Sequence, residues 1–173
     1  MRGKRKKIEI KDIAMIGMMV AVIEVSKAAL SFLPNIELTS FWLILFTLFF
    51  GWKIVFVVPV FILIEGAIYG VVLWWIMYLY AWPLLVALTY VFRKTNSMWF
   101  FCCLSSIFGF CFGFLCSFPY FFIGAYGNGF KSGLVSMFTW WIAGIPWDIV
   151  HGVGNFVLMA ILYKPVTSIM KKI

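Results

Sequence analysis

The stretch TWWIAGIPWDIVHGVGN, Thr139 to Asn155, decides the fold, and it lies in the last hydrophobic segment of the chain. It carries three tryptophans, an aspartate, the only histidine and an asparagine inside a run that otherwise has the composition of a membrane span. Polar groups are costly in hydrocarbon, so we expect these side chains to face the bundle interior or a water-filled cavity. On a helix Asp148, His151 and Asn155 share one face at i, i+3 and i+7. The pattern predicts one wall of a binding site, with Asn155 deepest.

The composition identifies the class of protein. Of the 173 residues, 65% are hydrophobic and 12% are charged, whereas soluble chains are about 45–50% apolar. This predicts an all-α integral membrane protein. The net charge of +8 comes from lysines and arginines in the gaps between apolar runs and at the chain ends. That pattern sets membrane orientation and argues against nucleic-acid binding.

The apolar runs predict six transmembrane helices with both termini cytoplasmic, because Lys53, Arg93 and Lys94 then share the inner side with both tails. We expect a basic tail at 1–11, a six-helix domain at 12–165 and a second basic tail at 166–173. The segment 119–136 is predicted to be a long, glycine-rich outer loop. The predicted spans are Ile13–Phe32, Leu38–Phe50, Ile54–Val72, Leu73–Phe92, Met98–Phe118 and Thr139–Tyr163, the last stopped by Lys164-Pro165.

Several kinds of chemistry lack their usual signatures. The four cysteines fall in one hydrophobic run without metal-ligand spacing, so we interpret them as small buried hydrophobes. No phosphate-binding loop, paired-carboxylate metal motif or Ser–His–Asp arrangement is present, and no metal or cofactor is predicted.

Ionisable side chains in three predicted spans could converge on one cavity that opens to the outside. Glu24 and Lys27, spaced i, i+3, could instead pair with each other, and His151 could be a core histidine held by Asp148. Carboxylates beside aromatic rings favour a small, planar ligand that is neutral or cationic. The predicted substrate-binding residues are Glu24, Lys27, Glu37, Glu65, Trp75, Tyr78, Trp82, Trp140, Trp147, Asp148, His151 and Asn155.

The chain resembles the substrate-binding S components of energy-coupling factor (ECF) vitamin transporters. The resemblance depends on six spans in a short chain, a basic N-terminal tail and Gly51 at a turn. It also depends on two segments. The first, which enters helix two, is Leu33-Pro34-Asn35-Ile36-Glu37-Leu38-Thr39-Ser40-Phe41, and the second, before Lys164-Pro165, is Trp147-Asp148-Ile149-Val150-His151-Gly152-Val153-Gly154-Asn155.

The resemblance implies a bacterial plasma-membrane protein that captures a vitamin from outside, with the loop between helices one and two as a lid. It also implies docking onto a transmembrane scaffold subunit that is energised by two cytosolic ATPases. The docking face maps to Ala14, Gly17 and Ala21, although Gly17 departs from the alanine usual there. The metal-transporting branch begins with Met-His, whereas this chain begins Met1-Arg2, which argues against cobalt or nickel.

Two other functions stay open on the residues alone. The chain could be a structural or assembly subunit whose polar groups only hold helices together, or a small membrane enzyme that uses Glu65, Asp148 and His151 as acid–base groups. The ligand of a transporter component could be thiamine, a B6 vitamer, a pyrimidine precursor, riboflavin or folate, and the excess of carboxylates disfavours the polyanionic folate.

Overall fold

The structure is a computed structural model that describes residues 9–172. Within that range the chain is all-helical, without strands, as the sequence predicts. A 3-10 turn at Gly51–Lys53 joins the second helix to the third. The six α-helices are α1 (Ile10–Ala29), α2 (Thr39–Phe50), α3 (Ile54–Tyr69), α4 (Leu73–Val91), α5 (Met98–Ala125) and α6 (Gly129–Met170).

Two ion pairs define the direction of the first three helices. Lys53 Nζ lies 2.6 Å from Asp12 Oδ1, so the start of α3 adjoins the start of α1. Lys27 pairs with Glu65, so the far ends of these helices also meet, and α1 and α3 run parallel. The chain therefore reverses its direction between α1 and α2, and it reverses again at Gly51, where φ is 60°. Helix α2 runs opposite to α1 and α3.

The bundle thus has two distinguishable ends. We call the end with Lys27, Glu65 and the α1–α2 connection, residues 30–38, the cavity end. The opposite end holds Asp12, Lys53 and the exposed Arg93, and we call it the basic end.

Helix α2 lies at the centre of the bundle and packs against all five other helices. Eight of its twelve residues are buried, including the fully buried Leu43, Ile44 and Leu45. Its apolar character on every side fits this position, because a helix that is hydrophobic all round is one that is enclosed.

Helices α5 and α6 form a long hairpin and pack against each other more extensively than any other pair. The predicted outer loop at 119–136 is wrong, since only the turn 126–128 is non-helical there. Two of its glycines serve helix contact instead of mobility. A Cβ on Gly124 would lie 2.9 Å from the Ser132 carbonyl oxygen, and one on Gly133 would lie 2.7 Å from that of Phe121.

The predicted end of the last helix at Lys164-Pro165 is also wrong. Helix α6 continues through Pro165 to Met170, for 42 residues in all, or about 63 Å at 1.5 Å per residue. The predicted C-terminal tail is therefore helical as far as Met170. Most of the predicted N-terminal tail, residues 1–8, lies outside the described residues, and α1 begins at Ile10, inside that tail.

Four helical stretches are long and apolar enough to cross a membrane by length and composition: Thr39–Tyr69, Leu73–Val91, Met98–Ala125 and Gly129–Met170. The first joins α2, the 3-10 turn and α3, and because the chain reverses at Gly51 it is a hairpin of two shorter helices rather than one continuous span. Helix α1 is not one of these stretches because it carries four charged side chains, Lys11, Asp12, Glu24 and Lys27. These helices are compatible with the predicted membrane protein.

The cysteines follow the prediction only in part. Cys102 and Cys116 are buried, whereas Cys103 and Cys111 lie on exposed faces of α5, and all four are free thiols. The predicted burial therefore fails for Cys103 and Cys111, and exposure on the outside of an apolar helix places a cysteine against lipid if the helix spans the membrane.

Candidate functional site

Two adjoining chambers lie at the cavity end. The first has a volume of about 440 Å³ and includes Lys27, Glu37, Glu65, Tyr69 and His151 among its lining residues. The second has a volume of about 670 Å³ and extends between α4, α5 and α6. The residues that line both chambers are Pro34, Asn35, Trp74, Tyr78 and Phe112.

The α1–α2 connection forms one wall of the first chamber through a continuous run from Leu33 to Glu37. Asn35 has a φ of 57°, the left-handed conformation that asparagine tolerates better than most residues. Pro34 fixes the backbone beside it. This segment therefore lies across the chambers as an ordered turn rather than as an extended strand.

Lys27 contacts a carboxylate and several aromatic rings in the first chamber. Its ammonium group donates to Glu65, which is almost fully buried, and lies 3.4 Å from the Tyr78 hydroxyl. The Tyr69 and Tyr78 rings approach the same group, with centroids at 5.5 and 5.3 Å. The alternative pairing of Lys27 with Glu24 within α1 is not what the structure shows.

The carboxylates around Lys27 outnumber it. One oxygen of Glu65 and one of Glu24 are buried and have no hydrogen-bond partner within residues 9–172. Glu37 lines the same chamber. Glu24 lies next to Glu65 and does not line the chamber, so the wall itself presents Glu65 and Glu37. A buried acceptor without a partner is costly, and the Glu65 oxygen therefore suits a ligand that brings hydrogen-bond donors or positive charge.

Asp148 lines the second chamber, at one of the close contacts between α5 and α6. Its Oδ1 accepts a hydrogen bond from the Gly113 backbone N–H at 2.8 Å, while Oδ2 has no partner among the described residues. A side chain on Gly113 would overlap this carboxylate, and one on Gly109 would lie 2.8 Å from the Gly152 backbone. Glycine at these positions allows the two helices to approach and holds the carboxylate in place.

The predicted polar face of α6, with Asp148, His151 and Asn155, is divided between the cavity and the core. His151 lines the first chamber, with its ring 5.0 Å from that of Phe112. Asn155 is buried below the chambers and donates to Ser40 Oγ and to the Ser105 carbonyl oxygen, both at 3.2 Å. Asn155 thus joins α6 to α2 and α5, and it does not line either chamber.

The predicted aromatic residues also separate. Tyr78, Trp140 and Trp147 line the second chamber, and Trp147 is 52% exposed. Trp75 turns away and donates its indole N–H to the Ile62 carbonyl oxygen at 2.7 Å. Trp82 is completely buried in the core. Glu24 lines neither chamber but neighbours Glu65.

Several lining residues were not predicted. The aromatic ones are Tyr69, Trp74, Phe112 and Tyr120, and the others include Gly113 and Cys116. Pro34 and Asn35 were not named as binding residues, but they belong to the loop that the resemblance implied as a lid. Helical spacing does not separate Trp74 from Trp75, because they precede Tyr78 by four and three residues and both spacings make side chains neighbours on a helix. Phe112 lies in a run with so many phenylalanines that the sequence alone does not distinguish it.

The predicted docking residues lie on the outside of the bundle. Ala14, Gly17 and Ala21 are all exposed on α1, and a Cβ on Gly17 would meet no atom within 4 Å. This face of α1 is therefore not packed within the described part of the chain.

Within residues 9–172, no three His, Cys, Asp or Glu side chains are grouped so that they could hold a metal ion. Comparison of the chain with models of known protein families, with curated proteins and with solved structures gave no match.

Proposed function

We propose that this protein is the substrate-binding S component of an ECF-type transporter, with six membrane spans and both termini in the cytoplasm of a bacterial cell. It binds a small, water-soluble vitamin or precursor and is not itself an enzyme. The observation that carries the proposal is the pair of adjoining chambers at the cavity end, lined by aromatic rings and surplus carboxylates and bounded by the α1–α2 connection.

The charge distribution supports an outward-facing cavity. Lys53, Arg93 and Lys94 lie at the basic end, which the positive-inside rule assigns to the cytoplasm. Lys131, at the start of α6, and the partly buried, paired Lys27 are the exceptions at the other end. The solute then enters from outside between the Leu33–Glu37 segment and the Trp140–Trp147 face of α6.

The chemistry of the lining favours a small aromatic ligand with donors or positive charge. Rings such as Trp74, Tyr78 and Phe112 provide surfaces for stacking. The Glu65 and Asp148 oxygens without partners provide acceptors. A thiamine-like or B6-like compound meets these demands better than a polyanion does.

The first experiment identifies the solute and tests the site. Protein purified from its native host is denatured, and the released small molecules are identified by mass spectrometry. The affinity for that compound is then measured for Asp148→Asn and Trp147→Ala, both of which we expect to abolish binding while the protein remains folded. Trp99→Ala is the matched control, because Trp99 is similarly exposed, at 59%, but lies near the basic end.

Unchanged affinity in both cavity variants would falsify the site. If no small molecule is released and none binds, the alternative role as an assembly subunit gains support. The buried contacts of Asn155 with Ser40 and Ser105 suit that role.

The second experiment tests the partners, which we propose to be a transmembrane scaffold subunit and two cytosolic ATPases. Gly17→Leu fills open space on the outer face of α1, so we expect solute binding to persist and uptake by cells with the complete transporter to stop. Cys103→Leu, on an exposed face of α5 and away from both chambers, should leave both unchanged. Loss of binding in Gly17→Leu would mean that this face serves the bundle itself.

A further inference from the structure

A second cavity lies away from the chambers, on the outer surface between α3 and α4. It is an apolar groove of about 540 Å³, and two of its lining residues, Trp52 and Tyr90, lie near the basic end. Its walls are formed mainly by Val55, Val58 and Pro59 of α3 and by Leu79, Pro83 and Ala87 of α4. None of these side chains carries a polar group, so the groove is unsuited to the water-soluble ligand proposed for the chambers.

The prolines account for the groove. Pro59 and Pro83 lie inside their helices, where each ring crowds the carbonyl group four residues earlier and removes one helical hydrogen bond. The residues in question, Val55 and Leu79, also line the groove. The small side chain of Ala87 leaves further space in the wall of the groove.

The length of the groove fits one acyl chain. Leu79 and Tyr90 both line it and are eleven residues apart on α4, which corresponds to about 16 Å along a helix. One leaflet contributes about 15 Å to the hydrocarbon core of a bilayer. The groove therefore extends from the membrane surface to about the midplane.

The mouth of the groove is aromatic and basic. Trp52 and Tyr90 line it at the basic end, and both residue types favour the membrane–water interface. The Arg93 guanidinium carbon lies 3.6 Å from the Tyr90 ring centroid, and Lys94 follows in the same exposed turn. Within residues 9–172, Arg93 and Lys94 form no ion pair.

We infer that this groove binds an anionic phospholipid, with one acyl chain between α3 and α4 and the phosphate beside Arg93. The positive charge at the mouth complements an anionic headgroup, and Tyr90 orients the guanidinium at the depth where that headgroup lies. This inference depends only on the protein lying in a membrane, and it does not depend on the proposed transport function.

The test uses the full-length protein in detergent and native mass spectrometry with two lipids of equal chain length, dioleoyl phosphatidylglycerol and dioleoyl phosphatidylcholine. We expect the wild type to prefer the anionic lipid. Arg93→Gln should reduce this preference about five-fold, the factor for one basic residue near an anionic surface. Ala87→Phe should fill the groove and remove the bound lipid of either kind.

Two variants serve as matched controls. Ala143→Phe adds the same bulk to an exposed face of α6, and Lys131→Gln removes a charge at the opposite end; neither should change lipid binding. Equal binding of both lipids by the wild type would overturn the inference, as would lipid binding by Ala87→Phe at the wild-type level. A dimer that is lost in Ala87→Phe without any lipid adduct in the wild type would show that a second copy fills the groove, and would also overturn it.

Discussion

Helix α1 is tied to α3 by a lysine–carboxylate pair at each end of the bundle, and the two pairs have very different surroundings. At the basic end, the side chains of Lys53 and Asp12 are 29% and 10% exposed, and Asp12 Oδ2 also accepts from the Glu9 backbone N–H. At the cavity end, Lys27 and Glu65 are 20% and 1% exposed, and aromatic rings surround the ammonium group.

The difference lies in what remains unsatisfied. Both Asp12 oxygens have partners, whereas Glu65 and Glu24 each keep a buried oxygen without one. The Lys53–Asp12 pair, whose carboxylate oxygens both have partners, only joins the two helices. The Lys27–Glu65 pair joins the same helices and also keeps a carboxylate oxygen that can accept a hydrogen bond from a ligand.

The largest effect is expected from Lys27→Met. This change leaves Glu65 buried without its cation, and breaking a buried pair costs about 3–5 kcal/mol of folding free energy. The melting temperature of the purified protein in detergent should fall markedly. It should recover in the double variant Lys27→Met/Glu65→Leu, because two apolar groups can replace a buried pair.

Lys53→Met is the matched control at the basic end, where water screens the charge that is left. The contrast between the two pairs fails if Lys27→Met lowers the melting temperature no more than Lys53→Met does.

A smaller effect is expected from the rings around Lys27. Tyr69→Leu removes one aromatic face from the ammonium group and should cost about 0.5–1 kcal/mol, the usual value of an exposed cation–π contact. Tyr69→Phe keeps the ring and should match the wild type in thermal melts. If both variants lose the same stability, the hydroxyl of Tyr69 is what matters, and the cation–π assignment is wrong.

The smallest effect is expected at Asp12, and it depends on pH. The hydrogen bond from Lys53, together with that from the Glu9 backbone, lowers the pKa of Asp12 below its ordinary value. A group with a lowered folded-state pKa stabilises the protein above its unfolded pKa, about 3.9, and this contribution is lost as the pH falls through the folded value. Asp12→Asn should therefore lower the melting temperature slightly at pH 6, and the difference from the wild type should shrink as the pH falls below about 3.9.

The same melts in high salt should reduce the difference at pH 6, because salt screens partly exposed charges. A gap between wild type and Asp12→Asn that stays constant from pH 6 to pH 3 would contradict the assignment.

The sequence predicted the helical class and eight of the 24 residues that line the two chambers. Asp148 and His151 were found because polar residues within an apolar run usually face a cavity or the bundle interior. Lys27 and Glu65 were found in the same way. Their pairing with each other was not predicted, because a contact between helices depends on how they are positioned, which no local spacing encodes.

The errors have two physical causes. Gly124 and Gly133 were interpreted as flexible loop residues, yet they permit close contact between α5 and α6, and one residue type serves both purposes. Trp75 was predicted to bind the substrate, whereas it is the neighbouring Trp74 that lines both chambers. Adjacent residues on a helix point about 100° apart, so an error of one position exchanges a cavity wall for a helix contact.

The α5–α6 hairpin has a consequence for how the polypeptide could be divided. Its most extensive packing is internal, and it is joined to α4 only through the short exposed turn that contains Arg93 and Lys94. Each helix satisfies its own backbone, as membrane insertion requires. The protein could therefore be produced as two separate polypeptides, one ending and the other starting in this turn. Because Asp148 and His151 belong to one piece and Lys27 and Glu65 to the other, solute binding would report their reassembly.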